Sequence, residues 1–502
     1  MTEVEKILEI KNSMKLYQHQ KEGIKFLKKT KRAILADEMG LGKTAQAIIA
    51  AREEIGRAEK IIVVCPASLK INWEREIRIF YEDTIKIISG KINCQDLKEK
   101  WIIINYDILE KNEDWINELR DTEQIGAIIM DESHYIKGKS RRAKSAVRIA
   151  QEVKRVYCLT GTPLMNRPIE LWNQLVAINH PLTIGKGVRK NFSKRYCGGY
   201  MRFIPPTPWR KHAIYFWSEE GATHLDELRE HLKGYVIRRK KKDVLDLPAK
   251  TIDIVEVDLK PENKKEYANA WDDYINFLKE NPDNKTEEEM RNILATRQLV
   301  EIQKLKQVCA RAKIARIVKD AKNIIEQGEK IIIFTQYKEI LNSLTQELKK
   351  IKLNTGKIDA HQGKEKKRPI KVATLSGGMN LEQRQKAVDE FQNDENTKVF
   401  VGNIKAAGVG ITLTQASIVI FADLDWTPEI HAQAEDRAHR IGQTGTVNIH
   451  YYVCKDTIEE DIIEVLVLKK QIIQEILDGN KKRVKSGSVM TEFLKRMNEK
   501  II

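Results

Sequence analysis

Two blocks of the chain carry short apolar runs separated by segments of helical spacing. In the first block the runs are Arg32–Ala36, Lys60–Cys65, Trp101–Asn105, Gly126–Met130 and Arg155–Leu159. They are continuous and rich in Ile and Val rather than alternating. That pattern predicts strands covered on both faces, as in a parallel sheet. Helices are predicted over Leu16–Leu27, Thr44–Glu54 and Trp73–Phe80. From about Pro181 the pattern changes: residues 185–222 are rich in Gly, Pro and aromatics, and Leu225–Leu232 reads as a helix. Thr251–Leu259 alternates and reads as a linking strand into the second half, and residues 261–325 read as charged and helical. The second block then opens, with strands predicted at Lys330–Phe334, Val372–Leu375, Lys398–Val401, Ser417–Phe421 and Val447–Val453. The Lys-rich stretch 352–370 reads as a mobile loop. A final helix is expected over 456–480, packing back onto the first half, before a basic tail over 481–502 with a short helix from Thr491. The predicted fold class is α/β, with two parallel sheets in tandem.

Ligands of such sheets bind at the carboxyl ends of the strands, and the polar clusters fall there. The first strand runs into Ala36-Asp37-Glu38-Met39-Gly40-Leu41-Gly42-Lys43-Thr44, and a helix leaves it. Strand, glycine loop and helix together form a phosphate-binding loop, whose N–H groups and helix dipole face phosphate oxygens. Lys43 would reach the β- and γ-phosphates, and the Thr44 hydroxyl would bind Mg2+. Asp37 stands where the first Gly of the pattern is expected. A second cluster, Asp131-Glu132-Ser133-His134, fits a division of labour in which Asp131 holds Mg2+ and Glu132 orients and deprotonates the attacking water. Tyr106-Asp107 and Thr160-Gly161-Thr162-Pro163 end other strands. Gln20, shortly before the loop, has the donor and acceptor that an adenine edge needs, or is a surface amide.

Composition narrows the partner. The 502 residues are 41% hydrophobic and 32% charged, with a net charge of +16. The basic excess points to a polyanion or to a solvated Lys-rich surface. The run Arg238-Arg239-Lys240-Lys241-Lys242-Asp243 is a phosphate-backbone contact or a solvated face. Tyr196, Tyr200, Phe203, Trp209, Phe216 and Trp217 are expected to pack in core or loops rather than to stack on bases. Six widely spaced cysteines, none in a C-x-x-C pair, suggest neither a zinc site nor a disulfide framework and fit a reducing compartment. No apolar signal region or membrane-length run is read. In the second half, Ala406-Ala407-Gly408-Val409-Gly410-Ile411-Thr412-Leu413 permits close backbone approach to a phosphate chain or a nucleotide edge. In Asp436-Arg437-Ala438-His439-Arg440, the two arginines are three apart and expected on one helical face, either to neutralise a transferring γ-phosphate or as a surface ion pair.

The assembled set resembles the Swi/Snf-type DNA-dependent ATPases of helicase superfamily two. The stretches that carry the resemblance are YQHQKEG, DEMGLGKT, CPASLKINWEREI, NYDIL, DESH, LTGTPLMNRPIELW, IIIFTQY, LSGGMNLEQRQKAV, GVGITLTQAS and DRAHRIGQ, in the family's order over residues 16–455. Asp37 in the loop is itself usual in that family. The stretch from RYCGGYM to VIRRKKKDVLDLPAK is similar to the annealing-helicase branch. The resemblance implies two RecA-like lobes, each with a mainly helical insertion, and ATP in the cleft between them. It implies a first lobe over 1–180 with its insertion at 181–250, a linker and second insertion at 251–325, a second lobe at 326–455 and a C-terminal brace at 456–502. ATP would be held by Gln20, Asp37, Met39, Gly40, Leu41, Gly42, Lys43, Thr44 and Gly410, with Mg2+ on Thr44 and Asp131. Lys43, Asp131, Glu132, Arg437 and Arg440 would carry catalysis. Thr160, Thr162, Arg238, Arg239, Asn403 and Thr412 are candidates for DNA contact or coupling. The expected partner is DNA, duplex or branched ahead of RNA, bound by a monomeric translocase that remodels or anneals DNA, as in DNA repair. The alternatives are a strand-separating DNA helicase or an RNA-dependent ATPase. Ile- and Lys-rich usage favours a prokaryotic or viral-host cytoplasm over a nucleus.

Overall fold

The computed structural model describes residues 16–93, 97–161, 168–204, 213–219, 221–279, 287–358, 365–407 and 411–467. Among them, one compact unit comprises 16–201 and 217–247, and a second comprises 202–216 and 248–467. Among the described residues no helix is long and apolar enough to cross a membrane.

The first unit is built on a seven-stranded sheet. Six of its strands are β1 (Arg32–Leu35), β2 (Lys60–Cys65), β3 (Ile85–Ile87), β4 (Trp101–Asn105), β5 (Ile125–Met130) and β6 (Arg155–Leu159). An insertion follows in the chain, and it passes through a separate two-stranded ribbon of β7 (Tyr200–Ile204) and β8 (Ile214–Ser218), whose residues 202–216 count with the second unit. The seventh sheet strand, β9 (Val236–Ile237), comes after it. The sheet order is β3-β4-β2-β5-β6-β1-β9, and every pair is parallel. Every position of β2, β4 and β5 is buried. This is why these strands read as apolar runs: both faces are buried, so polar residues are left only at strand ends, at Lys60 and Asn105. Helix Gln18–Thr30 precedes β1, and Lys43–Glu53 follows the loop after it. β9 is too short to show any periodicity. Its register sets Val236 opposite Ile34 and Ile237 opposite Leu35. This short strand returns the chain from the insertion to the strand that feeds the phosphate loop.

The insertion also contains helices Val188–Tyr196 and Leu225–Leu232. Its aromatics divide. Phe192 and Tyr196 are buried, and Trp172 lies 5.1 Å from Phe192 in an edge contact. Trp217 is half-buried and donates its indole N–H to Ser193 Oγ at 2.7 Å. Tyr200, Phe203 and Phe216 are exposed, against the expectation of packing. Trp209 lies outside the described residues.

The second unit opens with β10 (Lys250–Val257) and β11 (Ile331–Thr335). An antiparallel pair follows, β12 (Lys352–Ile358) with β13 (Glu365–Pro369). Then come β14 (Lys371–Leu375), β15 (Thr397–Asn403), β16 (Ile418–Phe421) and β17 (Val447–Cys454). Six of these form a parallel sheet in the order β10-β17-β16-β11-β15-β14. β10 was expected as a link. It is an edge strand, paired with β17 from Lys250 opposite Val447 to Val257 opposite Cys454. Helices Pro261–Lys279 and Glu287–Glu326 follow it. The β12–β13 pair occupies the stretch expected as a loop at 352–370. A run of lysines reports side-chain hydration and leaves the backbone able to pair. The final helix is described only in part. Its described part, 458–467, buries Ile458, Ile462, Val465 and Leu466 in the core of the second unit. There Glu459 meets Lys313 at 2.7 Å, both fully buried, and also accepts the Cys454 N–H at 2.9 Å. The rest of that helix and the tail lie outside the described residues.

Candidate nucleotide site

The loop after β1 turns through two left-handed glycines, Gly40 (φ 81°) and Gly42 (φ 70°), which a side chain would strain. Gly42 is also constrained from outside. A Cβ there would come within 2.2 Å of Gln20 Nε2. The structure thus lays the buried Gln20 amide against the loop, with its Oε1 accepting the Tyr17 N–H at 3.0 Å. Lys43 Nζ donates to the carbonyls of Asp37 (2.8 Å) and Glu38 (3.3 Å), and Thr44 is half-buried in the first turn of the helix. Leu41 and Met39 are buried. Met39 packs on Gly161, where a Cβ would fall 2.6 Å from Met39 Cγ.

Asp37 is fully buried, and Arg239 explains it. The guanidinium donates through Nε to Asp37 Oδ1 at 2.9 Å and through Nη2 to Asp37 Oδ2. It also donates to Gln46 Oε1 at 2.9 Å and to the His19 carbonyl. Gln46 in turn donates to Asp37 Oδ2 (3.3 Å) and to the Leu41 carbonyl (3.2 Å). Gly23 makes room, because a Cβ there would lie 1.8 Å from Gln46 Oε1. The expectation that Arg239 contacts DNA is therefore corrected: only 10% of its side chain is exposed, and its fork is occupied within the unit. Desolvation explains this, since a buried carboxylate requires a cation and the nearest basic run supplies one. Arg238 beside it is half-buried.

Asp131 and Glu132 follow β5. Asp131 Oδ2 accepts the Trp73 indole N–H at 2.7 Å, its Oδ1 accepts the Glu132 N–H at 2.9 Å, and its carbonyl accepts the Tyr106 hydroxyl at 2.8 Å. Burial first, then the Glu132 charge, raise the Asp131 pKa from 3.8 to about 6, while the nearby Lys43 charge pulls it down. Glu132 has φ 47°, a left-handed backbone rare outside glycine, and its Oε2 lies 3.3 Å from His134 Nδ1. Strain of this kind is tolerated where the surroundings over-determine a geometry. Thr160 is fully buried at the end of β6 with its N–H on the Leu35 carbonyl (3.1 Å), which corrects the expectation of direct DNA contact and leaves coupling as its reading. Thr162 lies outside the described residues.

The raised pKa has a sign. Without metal, the folded chain keeps a proton on Asp131 that the unfolded chain releases near 3.8. This group's contribution to stability therefore falls as pH rises from about 4 through about 6. Asp131→Asn is expected to melt higher than the native chain at pH 8 in chelator, by on the order of 2 kcal/mol, with the gap closing towards pH 5. Equal melting curves at both pH values would contradict it.

In the second unit, Arg437 and Arg440 converge on one backbone carbonyl. Arg437 donates to Gln433 O (3.1 Å) and Ile411 O (3.4 Å), and Arg440 to Ile411 O (3.4 Å) and Thr412 Oγ1 (3.0 Å). The expected shared helical face is corrected: helix Pro428–Glu435 ends before either arginine, and the following turn brings them together. Thr412 is engaged with Arg440. Asn403 accepts the N–H groups of Lys405 (3.1 Å) and Ala406 (3.2 Å) and donates to the Gln336 carbonyl (2.7 Å), so it closes the end of β15 and its amide is used inside the unit rather than on DNA. Gly410 lies outside the described residues. Residue spacing alone holds no sign of Trp73, Gln46, Gly23 or Gly161 at the site, because the partners that place them are set by the fold.

Comparison with known proteins finds the SNF2-related domain over residues 19–314 and the helicase conserved C-terminal domain over residues 313–442. The chain is similar to the human DNA annealing helicase and endonuclease ZRANB3, 31% identical over 485 residues, covering 94% of this chain and 41% of that protein. It is similar to the Caenorhabditis elegans homolog of SWI/SNF-related matrix-associated actin-dependent regulator of chromatin subfamily A-like protein 1, 31% identical, covering 92% of this chain and 62% of that protein. The chain thus spans less than two thirds of the length of these relatives. Among solved structures, the Sulfolobus solfataricus SWI2/SNF2 ATPase core domain has 25% sequence identity and a TM-score of 0.40, covering 98% of this chain and 95% of that one.

Proposed function

The chain belongs to the SNF2-related family, and from that premise we propose that it is a DNA-dependent ATPase, a motor that cleaves the β–γ phosphoanhydride of ATP on DNA and remodels or anneals DNA structures. The observation that carries this reading is the first unit's assembly of Lys43, Asp131 and Glu132 beside a loop with two left-handed glycines. These residues fit a nucleoside triphosphate with Mg2+: the loop and helix start offer N–H groups to phosphates, Lys43 an ammonium, and Thr44 and Asp131 oxygen donors for the ion. Mg2+ would neutralise phosphate charge. Glu132 orients the attacking water and takes its proton. Gln20 reads the adenine. Arg440 and Arg437 stabilise charge on the transferring phosphoryl group. Loop and arginines belong to different units, so turnover in this reading needs both. The partner is DNA, duplex or branched ahead of RNA, engaged mostly through phosphates and hence weakened steeply by salt.

ATP hydrolysis measured without nucleic acid and with single-stranded, duplex and forked DNA and RNA tests the reading. Duplex or forked DNA is expected to stimulate turnover strongly. Lys43→Ala is expected to reduce turnover to background under every condition while still binding DNA. Stimulation by RNA alone would overturn the partner, and turnover in Lys43→Ala would overturn the site.

A further inference from the structure

Lys306 lies on helix Glu287–Glu326 in the second unit and is fully buried, and its Nζ has no hydrogen-bond acceptor among the described residues. An ammonium withdrawn from water needs compensation. Here an indole supplies part of it. Nζ stands 4.6 Å from the centre of the Trp426 ring, a cation–π contact of the kind that is strongest when desolvated. Burial lowers the Lys306 pKa from its usual 10.5, and the charges of the buried Asp423, Asp425 and Glu459 carboxylates partly offset that fall.

Trp426 belongs to the turn Asp423-Leu424-Asp425-Trp426-Thr427, which joins β16 to helix Pro428–Glu435. Asp423 accepts the Thr335 hydroxyl and the Gln336 N–H (2.9 Å) at the end of β11. The Asp425 N–H donates to His431 Nε2 at 2.9 Å, its Oδ1 accepts the Thr427 N–H at 3.0 Å, and its Oδ2 lies 3.2 Å from Lys405 Nζ. These contacts fasten the turn to its own sheet and helix. Lys306 fastens it to helix Glu287–Glu326, far away in the chain. The helix that the turn starts leads into Arg437 and Arg440.

We propose that Lys306 is a positioning residue for the transfer step. Its charge holds Trp426 and, through the turn and the short helix that follows, the two arginines. The proposal rests on the ATPase reading and deepens it. An apolar side chain in its place would fill the space and leave the ring without its cation.

The test is Lys306→Met in the full chain, which keeps an unbranched stem and removes the charge. Backbone hydrogen exchange is expected to quicken on the order of ten-fold over 423–440 and to stay native in β11 and β15. In ATP hydrolysis with duplex DNA, kcat is expected to fall on the order of ten-fold with KM for ATP unchanged, since the phosphate loop belongs to the first unit. Trp426 is half-buried, and a pair of variants there reads the same contact from the other side. Trp426→Phe keeps a ring face for the cation and is expected to stay near native in both readouts. Trp426→Leu keeps apolar bulk without the ring face and is expected to match Lys306→Met. Native exchange over 423–440 in Lys306→Met, quickened exchange throughout the second unit, a raised KM with native kcat, or equal behaviour of the Phe and Leu variants would each overturn the proposal. If the native chain hydrolyses no ATP with any nucleic acid, the motor reading falls, and the exchange data decide separately whether Lys306 holds the turn.

Discussion

Replacing Arg440 with Ala is expected to slow ATP turnover by about 10³–10⁵ while nucleotide binding persists, the scale of a lost arginine finger. The two arginines are not equivalent. Arg437 is 8% exposed and bonded to two carbonyls, so its removal disturbs the turn that follows helix Pro428–Glu435. Arg440 is half-buried and bonded to Ile411 O and Thr412 Oγ1, which places a positioned guanidinium at the edge of its unit's interior. In the proposed reading, binding of a nucleotide to the loop draws on first-unit residues, and charge stabilisation during transfer draws on the second. The variant should therefore separate the two. Single-turnover hydrolysis beside fluorescent-nucleotide binding would show it. Arg440→Lys should recover little, because an ammonium lacks the planar fork. Normal turnover in Arg440→Ala would remove the arginine from the mechanism.

The parts of this chain that were legible in its sequence share a physical origin. Strands buried on both faces have to be apolar throughout, so β2, β4 and β5 could be read from their runs alone, and the polar clusters that end them marked the edge where ligands bind. What could not be read depends on distance in the chain or on brevity. Asp37 and Arg239 are 202 residues apart, and nothing local announces their pairing. β9 is a mere Val-Ile pair, fewer residues than a period needs. Arg437 and Arg440 fit helical spacing, yet the helix had already ended. The ribbon's aromatics had the composition of a core, and only the fold shows Tyr200, Phe203 and Phe216 exposed.

The Arg239 contact leads to the second large effect. Arg239→Ala leaves the Asp37 carboxylate fully buried without its cation, and removing one partner of a buried pair typically costs about 3–5 kcal/mol. The loss should be felt where the guanidinium reaches: Asp37 in the loop, Gln46 on the helix that follows it, and the His19 carbonyl next to Gln20. A lower melting temperature and weaker ATP binding are therefore expected together. Lysine should not restore either, since one ammonium cannot span acceptors on three different elements. The decisive variant combines Arg239→Ala with Asp37→Gly. It removes the buried charge and restores the glycine that phosphate loops usually carry at this position. If desolvation is the cause, the pair should be more stable than Arg239→Ala alone, even though it lacks one more side chain. If the guanidinium matters only as packing, the second substitution should make the chain less stable still. Chemical denaturation of the three variants beside the native chain distinguishes these outcomes, and a native melting curve for Arg239→Ala would refute both.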